Sequence, residues 1–240
     1  MNLTVKYKIA NFAGNHLKQV KGGYFGRARF LLLALIYKVL PCLGFDYCRL
    51  IEWDFVLRNL PKGRLRVLDV GTTSSLFIYE LAGRNYDTYA IDPRPYAERL
   101  PRRIKFFQYD IVATPFPEDF FDALTAISVI EHIGLGSYGD PKYNNGDFKA
   151  INEMKRILKD RGLLFITTLI ANRFIITPDH NQRIYDKNRL ASLTASFAIE
   201  KEEYYIFAKN RWHKTSRHVA FSRSPQNFAL VSLMLRNRKS

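Results

Sequence analysis

Short apolar runs alternate with amphipathic segments along this chain from residue 66 onward. The runs that predict strands are residues 66–70, 88–91, 104–109, 121–128, 163–170, 199–208 and 228–235. Helical spacing of apolar residues is found between them, at residues 75–84, 93–100, 147–158 and 187–197. Strands that alternate with helices at this interval form a parallel sheet with helices on both faces. The sequence therefore predicts an α/β fold with a doubly wound, mostly parallel, seven-stranded sheet.

Charge is distributed unevenly along the chain. Residues 1–64 carry 11 Lys/Arg against 3 Asp/Glu, residues 65–208 carry 18 against 19, and residues 209–240 carry 8 against none. A basic end attracts lipid headgroups, phosphate or nucleic acid alike, so charge does not choose among them. The Pro61-Lys62-Gly63 turn marks a boundary. We predict a basic, mostly helical appendage at residues 1–63 and the α/β domain at residues 64–240.

The most apolar stretch, residues 30–40, contains Lys38 and stops at Pro41. It is shorter than the roughly 20 residues of a membrane span, so it either packs on the domain or lies on a membrane surface. The start of the chain has no apolar signal segment, and Cys42 and Cys48 show neither a zinc-site spacing nor a disulfide framework. We expect a cytoplasmic protein, able to associate with an anionic membrane.

Two acidic residues stand at the carboxyl ends of the first two predicted strands, where ligands bind in doubly wound sheets. Asp69 is followed by Gly71, whose missing side chain permits a tight turn and close approach of a ligand. Asp92 lies 21 residues after Gly71, an interval that suits a carboxylate binding ribose hydroxyls. Together the two strand ends indicate a ligand that contains a nucleoside.

Several motifs, in their usual order, resemble class I S-adenosylmethionine-dependent methyltransferases. They are VLDVG, AIDPRPY, FFQYDI, TPFPEDFFD and INEMKRILKDRGLLFIT. The stretch EHIGLGSYGDP is similar to a subgroup associated with glycan pathways. The resemblance, which covers residue 64 to the end, implies a Rossmann-like methyltransferase fold and S-adenosylmethionine as cofactor. One departure is clear, because Thr73 and Ser75 stand where this family usually has further glycines.

The resemblance also implies roles for residues at the strand ends. Asp69 and Gly71 would line the methionine portion of the cofactor, and Asp92 would accept hydrogen bonds from the ribose. Asp110 would face the adenine amino group, with the alternative that it caps a turn. Ser128 would lie beside the methionine or the transferred methyl. The hydroxyls of Thr73 and Ser75 could contact the carboxylate or amino group of the methionine, although their side chains narrow the pocket. Thr72 is expected, with Thr73, to bind the cofactor.

Methyl transfer requires alignment of the acceptor and, where the acceptor carries a proton, its removal. His132 is the best candidate base because imidazole titrates near neutral pH, and the adjacent Glu131 could orient it or raise its basicity. Either residue could instead tie down the glycine-rich loop that follows. The candidate acceptor contacts are Tyr138, Arg183 and Tyr185. The chemistry requires no metal, and the sequence shows no ligand cluster for one.

Three functions remain open from the sequence. The first is a methyltransferase for a small-molecule, glycan or lipid-linked acceptor, held near an anionic membrane by its basic ends. The second is an RNA-directed methyltransferase, although the chain has no recognisable RNA-binding module. The third is a non-catalytic cofactor-binding protein of the same fold, suggested by the threonine and serine that replace glycines.

Overall fold

The computed structural model describes residues 48–96, 100–138, 140–179, 181–209 and 211–239. The apolar run at residues 30–40 and most of the predicted appendage lie outside these ranges. Within them, no helix is long and apolar enough to cross a membrane.

A central sheet organises the described residues. Its strands are β1 (Arg66–Val70), β2 (Asp87–Ile91), β3 (Ile104–Phe107), β4 (Phe121–Ile127), β5 (Leu158–Ile170), β8 (Phe197–Ala208), β9 (Arg211–Thr215) and β10 (Ala229–Asn237). Across the sheet they stand in the order β3-β2-β1-β4-β5-β10-β8-β9. A separate two-stranded hairpin consists of β6 (Ile175–Ile176) and β7 (Arg183–Ile184). Strands β1 to β5 are parallel, whereas β10 is antiparallel to both β5 and β8. The doubly wound, mostly parallel fold is confirmed.

The described part of the sheet has eight strands, seven of which correspond to the predicted ones. The additional strand, β9, belongs to a basic segment whose exposed side chains lack the apolar alternation that predicts a strand. It forms because it pairs in antiparallel register with the end of β8, from Tyr204↔Thr215 to Ala208↔Arg211. The extra strand thus extends the edge of the sheet without changing its topology.

Helices cover both faces of the sheet. They are α1 (Cys48–Asn59), α2 (Phe77–Gly83), α3 (Gly146–Ile157), α4 (Lys187–Thr194) and α5 (Arg217–Phe221). Helices α1 and α2 bury Phe55 and Phe77 in one core cluster, which also contains Val67 of β1. Helices α3 and α4 bury Met154 and Leu190 in the other cluster. Because side chains alternate along a strand, Asp69 projects to the same face as Val67, the face covered by α1.

The predicted helix at residues 93–100 is not observed in its described part, since residues 93–96 adopt no helical structure. A side chain competes with the helix there, because Asp92 Oδ1 accepts a hydrogen bond of 3.0 Å from the backbone N–H of Arg94. Strand β5 begins five residues before the predicted strand at residues 163–170. It starts at Leu158 and continues through Arg161, whose φ is 59°.

Candidate functional site

The turn after β1 is built on Gly71, which has φ 75° and donates its N–H to the carbonyl of Ile91 at 2.9 Å. A Cβ at this position would lie 2.6 Å from Val129 Cγ2, well inside contact distance. The turn therefore requires glycine for both its backbone conformation and its space. It contacts both the end of β2, through Ile91, and the segment after β4, through Val129, so the ends of these segments lie close together. A single turn of 3₁₀ helix (Thr72–Ser74) follows.

Asp69, at the end of β1, is buried at 2% exposure and is incompletely hydrogen-bonded. Its Oδ1 accepts a hydrogen bond of 2.7 Å from Thr125 Oγ1, whereas Oδ2 has no hydrogen-bond partner among the described residues. Burial raises the pKa of Asp69 to about 7, although the hydroxyls of Thr125 and Thr72 oppose the change. The Thr72 hydroxyl is also fully buried and acts on this carboxyl, but it makes no close hydrogen bond in the described part of the chain. Among the described residues, this side of the site therefore holds buried polar atoms that lack a close hydrogen bond.

Asp92, at the end of β2, is as buried as Asp69 but has many partners. Thr73 donates to Oδ2 from its hydroxyl at 2.6 Å and from its backbone N–H at 3.1 Å. Arg94 donates from its backbone N–H and Nε to Oδ1 at 3.0 and 2.9 Å, and from its second terminal nitrogen to Oδ2 at 2.9 Å. Burial raises the pKa of Asp92, but the hydrogen bonds from Arg94 and Thr73 outweigh it and lower the pKa below its ordinary value. The carboxylate already has five donors.

Thr73 was expected to contact a methionine, but its hydroxyl is directed to Asp92 instead. The third strand end carries Asp110, whose Oδ1 accepts a hydrogen bond of 3.1 Å from the backbone N–H of Val112. Its Oδ2 is buried without a close hydrogen bond from the described residues, and burial raises the pKa of this carboxyl although the nearby Tyr143 hydroxyl opposes the change. Asp110 therefore stabilises a turn, which is one of its two expected roles, and its contact with adenine stays a prediction.

Ser128, which follows β4, adopts the left-handed conformation at φ 47°, and its hydroxyl is occupied. It donates a hydrogen bond of 2.5 Å to Glu52 Oε1, from helix α1. Glu52 and Arg49 are not among the predicted site residues, because both belong to the predicted appendage. Their spacing of three residues, on the helix turn before the buried Phe55 and Val56, could have indicated an ion pair close to the core.

Glu131 and His132 differ in their environment. Glu131 is buried at 1% exposure and accepts a hydrogen bond of 3.1 Å from Thr168 Oγ1 of β5. Burial, reinforced by the charge of Glu52, raises the pKa of Glu131 to about 7. His132 is partly exposed, and its Nδ1 lies 2.5 Å from the carbonyl oxygen of Asn181. Burial lowers the pKa of His132, so its ring is neutral at neutral pH.

Tyr138 lies in the glycine-rich loop and contacts both sides of the site. Its ring is 5.2 Å from the ring of His132, centroid to centroid, and the guanidinium of Arg94 lies 4.8 Å above it. Its side chain is 38% exposed. This residue therefore lies between His132 and Arg94 at the surface, and its place in contact with an acceptor stays a prediction.

The predictions for Arg183 and Tyr185 require correction, because both side chains lie in the interior. Tyr185 is completely buried, and its hydroxyl donates a hydrogen bond of 3.3 Å to the carbonyl of Ile130. Arg183 is 3% exposed, donates to the carbonyl of Ile133 at 2.8 Å and faces Asp147 at 3.6 Å. These residues hold the segment after β4 against β7, so they have no surface to offer an acceptor.

Solved structures with this fold include several methyltransferases. The Burkholderia thailandensis 1,6-didemethyltoxoflavin N1-methyltransferase, crystallised with S-adenosylhomocysteine, is 12% identical with a TM-score of 0.60, covering 92% of this chain and 94% of that one. The N-methyltransferase NodS of Bradyrhizobium japonicum, also with S-adenosylhomocysteine, is 16% identical with a TM-score of 0.54, covering 81% and 89%. The [4+2]-cyclase SpnF is 18% identical with a TM-score of 0.57, covering 79% and 80%. The chain therefore has the Rossmann-like fold of these enzymes.

No curated protein matches the chain in sequence. One family does, and its profile aligns with residues 105–227, just over half of the chain. The aligned region begins in β3 and ends just before β10, so it includes the glycine-rich loop and the basic segment with β9. The chain belongs to this family, DUF268, whose description is Caenorhabditis protein of unknown function.

Proposed function

We propose that this protein is an S-adenosylmethionine-dependent methyltransferase acting on a small-molecule, glycan or lipid-linked acceptor. The observation that carries the proposal is a set of buried polar atoms at the strand ends that make no close hydrogen bond to the described residues: Asp69 Oδ2, Thr72 Oγ1 and Asp110 Oδ2. A buried polar atom without a hydrogen bond costs about 1–3 kcal/mol, so a ligand that supplies the partners binds favourably. The cofactor has an ammonium group and an adenine amino group to offer the two carboxylates.

The residues present fit this cofactor at its two ends. Asp69 and Thr72 would hold the methionine portion beside the Gly71 turn. Asp110 would accept from the adenine amino group. The ribose hydroxyls would pair with Asp92 once the Arg94 guanidinium, which is 30% exposed, has turned away.

When bound, the cofactor supplies a methyl group on a positively charged sulfur, and the neutral thioether that remains is a good leaving group. His132 is then the base of the proposed reaction. A carbonyl oxygen only accepts hydrogen bonds, so the contact with Asn181 places the ring proton on Nδ1. The lone pair of Nε2 is left to take the proton of an acceptor hydroxyl or amine. Glu131 is directed toward β5 and would act on His132 only through its charge.

Two further observations support the proposed class of acceptor. The Burkholderia enzyme and NodS are N-methyltransferases by name, and the first was crystallised with the small molecule 1,6-didemethyltoxoflavin. The excess of basic residues at both ends of the present chain favours an acceptor that is anionic or attached to an anionic membrane. We propose that the reaction takes place in the cytoplasm, at or near such a membrane.

A second candidate is a protein that has kept the fold without methylating. The five donors on Asp92 favour this alternative, because they occupy the carboxylate that would bind the ribose. The [4+2]-cyclase SpnF illustrates that a protein with this fold can have a different activity. The fold by itself therefore does not select the reaction.

Calorimetric titration of the full chain with S-adenosylhomocysteine tests the proposal, with Asp110→Asn as a variant that keeps the turn but reverses the hydrogen-bonding polarity. We expect saturable binding that Asp110→Asn weakens about tenfold, the effect of one lost hydrogen bond to a charged group. Transfer of a labelled methyl group to the small-molecule fraction of an extract then separates the two candidates. Binding without transfer supports the second, and absence of binding contradicts the methyltransferase proposal.

A further inference from the structure

The carboxyl ends of the parallel strands form one edge of the sheet, and this edge continues past the candidate site as far as β9. Ile170 of β5 pairs with Ala229 of β10, which in turn pairs with Ile206 of β8. The turn from β8 to β9, between Ala208 and Arg211, therefore lies at the same edge as the ends of β1, β2 and β4. Four strand spacings of about 4.8 Å separate β9 from β4, so the turn is about 20 Å from the end of β4.

Four cations lie along this edge beyond β5, and we call them the basic rim: Arg173, Lys209, Arg211 and Arg223. Lys209 and Arg211 flank the turn from β8 to β9 and are exposed, as is Arg173, which follows β5. Arg223 is half-buried, and its carbonyl accepts a hydrogen bond of 2.8 Å from the backbone N–H of Asn172. This bond fixes the segment after α5 beside the end of β5. The basic rim thus joins three segments that are distant in the sequence.

The two edges of the sheet differ in how far their cations are neutralised. Residues 209–240 contain 8 Lys/Arg and no Asp/Glu, and no member of the basic rim forms an ion pair with another described residue. At the opposite edge, cations are interspersed with carboxylates, in the ion pairs Lys159–Asp122, Arg236–Glu200 and Lys239–Asp119. An extended anionic surface is therefore attracted more strongly to the basic rim than to the opposite edge.

Apolar side chains accompany the basic rim. Ile176, in the hairpin that follows β5, is 41% exposed. This hairpin lies beside the candidate site, because the carbonyl of Asn181 is 2.5 Å from His132 Nδ1. The half-buried rings of Trp212 and Phe207 are in contact next to the turn from β8 to β9, with centroids 5.5 Å apart. Cations together with tryptophan and exposed aliphatic side chains are typical of proteins that bind at the interface of an anionic membrane.

We infer that the basic rim and Ile176 form a surface that binds an anionic lipid membrane. Because this surface and the strand ends share one edge of the sheet, the bound membrane faces the candidate site. The inference deepens the proposed function, since a lipid-linked acceptor in that membrane would have its polar end toward His132. That consequence rests on the proposed function, whereas binding to the membrane does not. RNA is the less favoured partner, because it is bound by cations and stacked aromatic rings and makes no use of an exposed isoleucine.

Sedimentation of the full-length chain with lipid vesicles tests this surface. The vesicles contain phosphatidylcholine alone or mixed with phosphatidylserine, which is anionic. The variant Lys209→Gln/Arg211→Gln removes two charges from the basic rim. The matched control, Lys62→Gln/Arg64→Gln, removes the same two residue types from the turn before β1, where both are exposed at the opposite edge of the sheet.

The wild type is expected to bind the vesicles that contain phosphatidylserine and not those of phosphatidylcholine alone. Each cation near an anionic surface contributes about fivefold to binding, so Lys209→Gln/Arg211→Gln should weaken it about 30-fold. The control should stay within about threefold, and the difference should shrink at high salt because screening weakens the attraction. Arg173→Gln, a single exposed change in another segment, should weaken binding about fivefold.

Ile176→Ser separates a membrane from RNA, measured as binding to a single-stranded oligonucleotide. On vesicles it should weaken binding about fivefold, because less apolar surface enters the interface, and it should leave RNA binding unchanged. Failure of the wild type to bind anionic vesicles, or equal losses in the two double variants, overturns the inference. A loss in Lys209→Gln/Arg211→Gln that is confined to RNA does so as well.

These results are independent of the cofactor, whose binding is measured separately with S-adenosylhomocysteine. A chain that binds vesicles as expected but does not bind S-adenosylhomocysteine keeps the membrane surface and loses the methyltransferase proposal. A chain that binds S-adenosylhomocysteine but not anionic vesicles keeps the methyltransferase proposal and loses the membrane surface.

Discussion

Asp69 and Asp92 are two carboxylates at the carboxyl ends of the adjacent parallel strands β1 and β2. Asp69 lies within β1, paired with Ala90, and Asp92 directly follows β2. Both are nearly completely buried, at 2% and 1% exposure. Asp69 has one hydroxyl donor and an oxygen without a partner in the described chain, and its pKa is raised to about 7. Asp92 has five donors, and its pKa is lowered. Burial is therefore not what distinguishes them.

The difference comes from the residues that follow each strand. After β2, the Pro93-Arg94 segment turns back on Asp92, and Thr73 reaches the same carboxylate from the turn after β1. Asp69 receives no charged partner at hydrogen-bond distance among the described residues. In the proposed binding mode, the protein thus satisfies the ribose side of the site with its own chain and leaves the methionine side incomplete. The cofactor would complete the methionine side and would displace a resident group on the ribose side.

The largest expected effect is the change with pH of the contribution that Asp69 makes to the free energy of unfolding. Because its folded pKa is about 7 and its ordinary value 3.8, its contribution to folding is greatest at low pH and is lost as pH rises between these values. At about 1.4 kcal/mol per pKa unit, the loss is on the order of 4 kcal/mol. Asp69→Asn removes the ionisation, so the free energy of unfolding of the variant, relative to that of the wild type, should rise from pH 4 to pH 8. Urea unfolding of both proteins across this range measures the difference.

Asp92→Asn is the matched control for this measurement, since its pKa is shifted in the opposite direction. Its contribution is present above its ordinary pKa and is lost as pH falls below it. The advantage of the wild type over Asp92→Asn should therefore shrink at acid pH. If both variants show the same trend with pH, the contrast between the two strand ends is wrong.

A smaller effect is expected from Asp92→Asn at neutral pH. The amide keeps one acceptor oxygen but removes the negative charge that Asp92 offers the Arg94 guanidinium. Since Arg94 is 30% exposed, water replaces part of the loss, and we expect the free energy of unfolding to fall by about 2 kcal/mol. Arg94→Gln combined with Asp92→Asn should cost less than the sum of the single variants. Strict additivity would indicate that the ion pair contributes nothing.

The strands and their order along the chain could be predicted because they depend on local patterns. The first strand was predicted at residues 66–70, where β1 lies, and Asp69 and Asp92 were placed at strand ends from spacing alone. The partners of these carboxylates depend on contacts between distant segments. Nothing local shows that Arg49 reaches the end of β4, where it donates to the carbonyl of Ile127. Arg94 had a local signal, but proline after Asp92 favoured a helix start over the turn that forms.

The smallest and most specific effect concerns Arg94 as a competitor for the ribose. If ribose hydroxyls must displace its guanidinium from Asp92, Arg94→Gln removes a partly exposed ion pair worth about 1 kcal/mol, and adenosine should bind about fivefold more tightly. Adenosine is the proper probe because it has the ribose without the methionine portion. Lys105→Gln is the control, since its ion pair with Asp87 lies at the opposite end of β2. Weaker binding by Arg94→Gln would mean that this arginine contacts the ligand itself, stacking on the adenine as it now stacks on Tyr138. Arg94 would then be a part of the adenosine site and not a competitor for it.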